Sequence, residues 1–163
     1  MYFVVVDKYG TRRGIVHSQD GISTDNAIAR FHGTSGHRVQ NSGATINDEG
    51  NLAAGGVSVS AKLTLGRSTL TIAAGVITAT RSYHLVETEA GAASDDLDTI
   101  AGGADGMILV LMAYNNAHTV VIKDNTGNLV TAGDFSMDDY VDTIMLFWNS
   151  ARGKWLELSR SSN

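Results

Sequence analysis

The stretch Asp25–Leu52, DNAIARFHGTSGHRVQNSGATINDEGNL, decides how the rest of the chain is read. Its larger apolar side chains are few and far apart: Ile28, Phe31, Val39, Ile46 and Leu52. Between them fall Gly33, Gly36, Gly43 and Gly50, with Asn, Ser, Thr and Asp in the gaps. Glycine supplies the positive φ that tight turns need, and Asn and Asp tolerate it next best. The pattern predicts very short strands joined by turns, each bringing one or two apolar side chains. One copy buries too little apolar surface to offset the entropy of ordering it. Several copies wound about one axis bury enough. The expectation is an intertwined β stalk in which Ile28, Phe31, Val39, Ile46 and Leu52 face other chains.

The same residues carry a resemblance. Asn26–Phe31, Gly33-Thr34, Gly36, Val39–Gly43, Thr45-Ile46, Asp48 and Gly50–Leu52 resemble a repeat-like element of tailed-bacteriophage fibre, head-fibre and capsid decoration proteins. The order of small, polar and apolar residues is kept over about a sixth of the chain. It departs at His32 and His37, where the pattern has an acidic residue and a lysine, so no ion pair at those positions is implied here. The resemblance implies a homotrimer, a non-enzymatic virion structural role and a place on the virion surface after assembly in a host cytoplasm.

Composition agrees with an ordered β protein. Of 163 residues, 43% are hydrophobic and only 18% charged, which excludes a disordered chain. Eighteen glycines with no proline call for many turns but none of fixed φ, and there is no collagen-like period of three. The net charge is −5, and three copies carry three times that. Phosphate binding needs clustered Lys and Arg, so no nucleic-acid partner is expected. With no cysteine, disulfides, thiolate metal sites and a cysteine nucleophile are all excluded. Met1–Val6 is apolar but ends at Asp7 without a basic start or cleavage site, so a signal peptide is not expected. The longest apolar run, Met107–Ala113, falls well short of the roughly 20 residues a bilayer span needs, so no membrane insertion is expected.

Taken in order, residues 1–23 read as an N-terminal β-hairpin or attachment arm. Tyr2, Phe3, Val4, Val5 and Val6 form an apolar strand that either pairs within the hairpin or adds to an exposed edge of a capsid or other virion scaffold. Residues 24–80 read as the trimeric stalk, with Val57–Leu65 alternating as a half-buried strand, Leu70 and Ile72 in phase, and a short strand at Val76-Ile77. Residues 81–163 have denser apolar runs, YHLVE, MILVLMA, TVVIK, NLV, TIMLFW and KWLELS, separated by glycine-rich turns. They predict a C-terminal antiparallel β-sandwich, jelly-roll-like, with a hairpin loop at Asp124–Gly127 and one helical turn near Asp95–Ile100. The fold expected is all-β. The ending Trp155, Glu157, Ser159–Ser161 and Asn163 also resembles the C-terminal domains of phage fibre proteins.

Candidate chemistry is thin. Asp95, Asp96, Asp98 and Asp105 supply oxygen but lack the spacing and glycine of a calcium loop, and read as a solvated acidic loop. Glu87 and Glu89 share a strand face, as glycosidase carboxylates must, yet sit in a polar strand end. His17, His32, His37, His84 and His118 show no metal-ligand spacing, although on a three-fold axis one histidine is presented three times. No catalytic residue, cofactor or metal is therefore expected. Among the aromatics, Phe147 and Trp148 face opposite ways on one strand, and Trp155 reads as core. Tyr114, Asn115 and Asn116 form the candidate contact for a host-surface glycan, which would make the chain a short tail or baseplate fibre instead.

Overall fold

A computed structural model describes residues 27–31, 39–48 and 50–163. The chain is all-β, about 49% strand and 2% helix. It divides into two compact units, with the break after Lys62. The second unit thus takes in residues 63–80, which the sequence had suggested as stalk.

In the first unit, β1 (Ala27–Phe31), β2 (Val39–Ile46) and β3 (Leu52–Ala53) form an antiparallel sheet with β2 in the middle. The turn between β2 and β3 is built as its residues suggest. Gly50 has φ +83° and its N–H donates to the Asn47 carbonyl at 2.8 Å, while the Asn47 side chain accepts the Asn51 N–H at 2.8 Å. The expected strand at Val57–Leu65 does not form. Its alternation satisfies a strand only with a neighbour to pair with, and Val57, Val59, Leu63 and Leu65 are all exposed.

The second unit is β-solenoid-like. Successive rungs stack in parallel: β4 (Arg67–Thr71) pairs with β6 (Tyr83–Glu87), β5 (Val76–Thr78) with β8 (Thr99–Ala101), β6 with β9 (Ile108–Ala113), and β7 (Ser94–Leu97) with β10 (Thr119–Ile122). The chain then turns back. After β11 (Leu129–Val130), parallel to β14, β12 (Phe135–Met137) runs antiparallel to β10, β13 (Thr143–Asn149) to β9, and β14 (Lys154–Ser161) to β13. The largest sheet has the order β11-β14-β13-β9-β6-β4. The expected wholly antiparallel pairing is therefore replaced by a mixed one, because hydrophobic period marks a strand but not its partner.

Two local expectations fail for related reasons. Ser94–Ala101 forms strands β7 and β8 and not a helical turn. Leu97 and Ile100 are fully buried, and the N–H groups of Asp98 and Thr99 both donate to the Gly75 carbonyl. Tertiary pairing outweighs the local capping signal. Asp124–Gly127 is a turn but not a hairpin loop, since β10 and β11 belong to different sheets. Asp124 accepts the Thr131 N–H at 2.8 Å and Asp134 accepts the Asp124 N–H at 2.8 Å, holding a wider loop. Gly127 is required there: at φ +52° an added Cβ would overlap Thr99 and the Asp98 carbonyl.

The core gathers Ile72, Val86, Leu109, Leu111, Ile144 and Leu146 from the inner face of the large sheet against Leu97, Ile100, Val120, Ile122 and Met137 of the smaller ones. Trp155 is fully buried. Its indole N–H donates to the Ile100 carbonyl at 2.9 Å, and its ring lies 5.2 Å from that of Trp148. The Asn128 amide accepts from the Ile100 N–H and donates to its carbonyl, standing in for a missing strand neighbour.

Candidate functional site

The five stalk residues lie on the small first sheet. Ile28 is on β1, and Ile46 and Leu52 are direct cross-strand partners on β2 and β3. These three are exposed by 38%, 45% and 53%. Phe31 and Val39 are paired at the end of the β1–β2 ladder. Tyr2, Phe3, Val4, Val5 and Val6, together with His17, His32 and His37, lie outside the described residues.

At the glycan candidate, Tyr114 follows β9 with its ring half exposed. The two asparagines beside it are engaged in holding loops. Asn115 donates to Glu87 at 2.8 Å and accepts the Ala117 and His118 N–H groups at 2.7 and 3.1 Å. Asn116 accepts the Tyr140 N–H at 2.7 Å and donates to Asp139 at 3.4 Å. The loop after β9 is thereby tied to the one after β12, which carries the exposed Tyr140. Nothing in sequence separation links positions 116 and 140; only the β9–β13 and β10–β12 pairings do.

Glu87 is the most engaged carboxylate. One oxygen faces His118 Nδ1 at 2.7 Å and accepts the Thr88 N–H at 2.9 Å and hydroxyl at 3.2 Å, while the other takes the Asn115 amide. Burial alone would raise its pKa, but the hydrogen bonds from His118 and Thr88 outweigh it and hold the carboxyl below its ordinary value. A glycosidase acid needs the opposite shift. Glu89 is employed elsewhere: its carboxylate accepts the Ala74 N–H at 3.0 Å.

The acidic residues Asp95 and Asp105 also serve the backbone, accepting the N–H groups of Glu89 at 2.7 Å and Ser150 at 2.9 Å. Among the described residues, no group of three or more His, Cys, Asp or Glu is disposed to hold a metal ion.

Two polar centres take shape only in the structure. Asp142 is fully buried and accepts the N–H groups of Asp138 and Asp139, each at 3.0 Å, and of Asn163 at 2.8 Å. Burial opposes its ionisation, yet these backbone donors keep its pKa below the ordinary value. Glu157 and Arg160 are ion-paired, with Arg160 Nε donating at 2.6 Å. The guanidinium also reaches the Gly133 carbonyl at 2.9 Å and stacks 4.8 Å from the centre of the Phe135 ring. The C-terminal residues that carry the second resemblance thus have structural work: Trp155 fills the core, Glu157 binds Arg160 and the Ala132 N–H, and Asn163 closes on Asp142 and Val141. No known family model matches the chain, and no curated protein matches it.

Proposed function

We propose that the chain is a non-enzymatic bacteriophage virion structural protein, a homotrimeric capsid decoration protein or head-fibre spike. Its N-terminal region attaches to the capsid and its C-terminal β unit projects outward. The observation that carries the reading is the state of the Asp25–Leu52 stretch, where the fibre-like sequence pattern lies. Ile28, Ile46 and Leu52 stand exposed on a sheet of three short strands. Such a sheet has too little apolar cover to be stable alone, and packing against its own copies supplies that cover. Glu87, Glu89, Asp95 and Asp105 accept from backbone and loop donors and hold those loops in place. Labelling the protein on intact virions and locating it by electron microscopy tests the assignment. Density at regular capsid positions is expected; density confined to the tail or its absence from particles refutes it.

A second reading, a short tail or baseplate fibre that binds a host glycan, is favoured by one feature. Tyr114 and Tyr140 are exposed by 50% and 57% on loops tied together through Asn116. Exposed aromatic rings beside amides and carboxylates suit sugar faces and hydroxyls. The same labelling experiment separates the two.

A further inference from the structure

The large sheet of the second unit is apolar on its inner face and carries an apolar patch on its outer one. Its inner face is the core already described. On its outer face, strand register fixes which residues stand side by side, because directly paired residues share a face. One row across the sheet is Val130, Leu156, Phe147 and Ile108. The next contains Met145, Val110 and Tyr83, and the third contains Met112 and Leu85. Ile108 and Met145 are exposed by 46% and 36%, and the others are half-buried. Not one of these nine carries a charge; the first charged residue in the middle row is Arg67, out on the edge strand.

With four or five strands about 4.8 Å apart and three rows about 6.7 Å apart, the face covers roughly 300 Å². That equals the largest apolar patches usual on monomers, which are often functional. It is also the size of the apolar centre, though not the polar rim, of an interface that buries about 800 Å² per partner. A sheet with parallel strands and two apolar faces is ordinarily covered on both.

We propose that the cover is the same face of other copies of this chain, with three sheets turned toward a common axis. This rests on the trimeric reading above and names the surface by which the second unit takes part. The argument is electrostatic. Copies of charge −5 repel one another, so they approach best through a patch whose own nine residues are uncharged, flanked by Arg67 on the edge strand and by Glu87 beyond Leu85. A three-fold axis also repeats any charge three times at close range, which a neutral patch avoids. At one end of the patch, Val130, Leu156 and Leu158, with Thr131, Ala132 and the Arg160-paired Glu157, line a groove of about 380 Å³ whose apolar side can receive a side chain from a neighbouring copy.

Light scattering on the full-length protein and on Met145→Asp tests this. Met145 is already solvent-accessible within one chain, so the variant keeps its fold, checked by far-ultraviolet circular dichroism. The expected result is a mass of three chains for the parent and one for the variant. Because the chain lacks cysteine, a spin label on Ile108→Cys gives a second measurement. Short inter-chain distances are expected there, and none from Asp96→Cys, exposed on β7 of the smaller sheet across the core. A parent trimer in which Met145→Asp stays trimeric and Ile108 shows no short distance overturns the assigned face and leaves the trimer standing. A monomeric parent overturns both. If Met145→Asp does not fold, the Ile108 distances decide.

Discussion

His84 shows how much a single side chain commits the local fold. It is fully enclosed, and its Nε2 accepts the N–H groups of Thr80 and Arg81 at 3.2 and 3.1 Å. The ring proton therefore sits on Nδ1 and donates to Ser68 Oγ at 2.8 Å, tying β4 to β6 through one neutral imidazole. Burial lowers its pKa below 6.5 and the nearby Arg81 charge adds to that; protonating Nε2 would also forfeit both N–H bonds. The unfolded chain therefore binds the proton first. The stabilisation is complete above about pH 6.5 and is lost as pH falls from there toward the folded-state value. Glu87 and Asp142 have depressed values, so their contributions vanish only at lower pH, below 4.5 and 3.8 respectively. Urea denaturation between pH 7.5 and 5.5 should thus show stability falling by up to about 1.4 kcal/mol per pH unit within the histidine window. His84→Gln, less stable at pH 7.5, should show a flatter slope; equal slopes would exclude His84 as the source.

At the scale of elements, turns whose conformation conflicts with their residue are the most readily improved. Ala73 and Val76 exchange backbone hydrogen bonds at 3.0 and 3.1 Å across Ala74 and Gly75, with φ of +50° and +75°. This is the two-residue turn that prefers Asn-Gly, and Ala at its first position costs about 1 kcal/mol. Ala74→Asn should raise the thermal midpoint by a few degrees for a unit of this size, measured by calorimetry. An unchanged or lowered midpoint would overturn the strain assigned to Ala74 at its positive φ.

The elements also show which features sequence could and could not convey. The runs that became β6, β9, β10, β13 and β14 were legible, because alternating or dense apolar residues need no knowledge of the partner. Trp155 as core was legible for the same reason. The stacking of β4, β6 and β9 was not, since parallel neighbours are joined by long connections that leave no local signature. Ser94–Ala101 misled because Asp95 suits a helix cap as well as a strand end, and the choice lies with Gly75 and Thr119 far along the chain. At the candidate site, Tyr114 was visible as an exposed aromatic, but the tie from Asn116 to Tyr140 depends wholly on tertiary pairing. Phe147 and Trp148 were rightly separated to opposite faces; that Phe147 belongs to an apolar outer face emerged only from the register of five strands.

For the whole molecule, the sign of the salt response distinguishes the kind of contact that holds copies together. Interfaces held by ion pairs weaken as salt screens them. Here the nine residues of the proposed contact patch are uncharged, whereas each chain carries −5, so the long-range force between copies is repulsion. The Debye length shrinks from about 30 Å at 0.01 M salt to about 10 Å at 0.1 M, so added salt removes repulsion without touching the contact. Sulfate should act further in the same direction, since it strengthens apolar burial. Sedimentation velocity on dilute protein should therefore show less dissociation at 0.3 M sodium chloride than at 0.01 M, and less again in sodium sulfate. The same series on Met145→Asp should show little recovery of the trimer, because screening lowers repulsion between chains but not the cost of desolvating a carboxylate within the contact. Dissociation that increases with salt in the parent would instead place ion pairs at the centre of the interface and rule out the neutral outer patch.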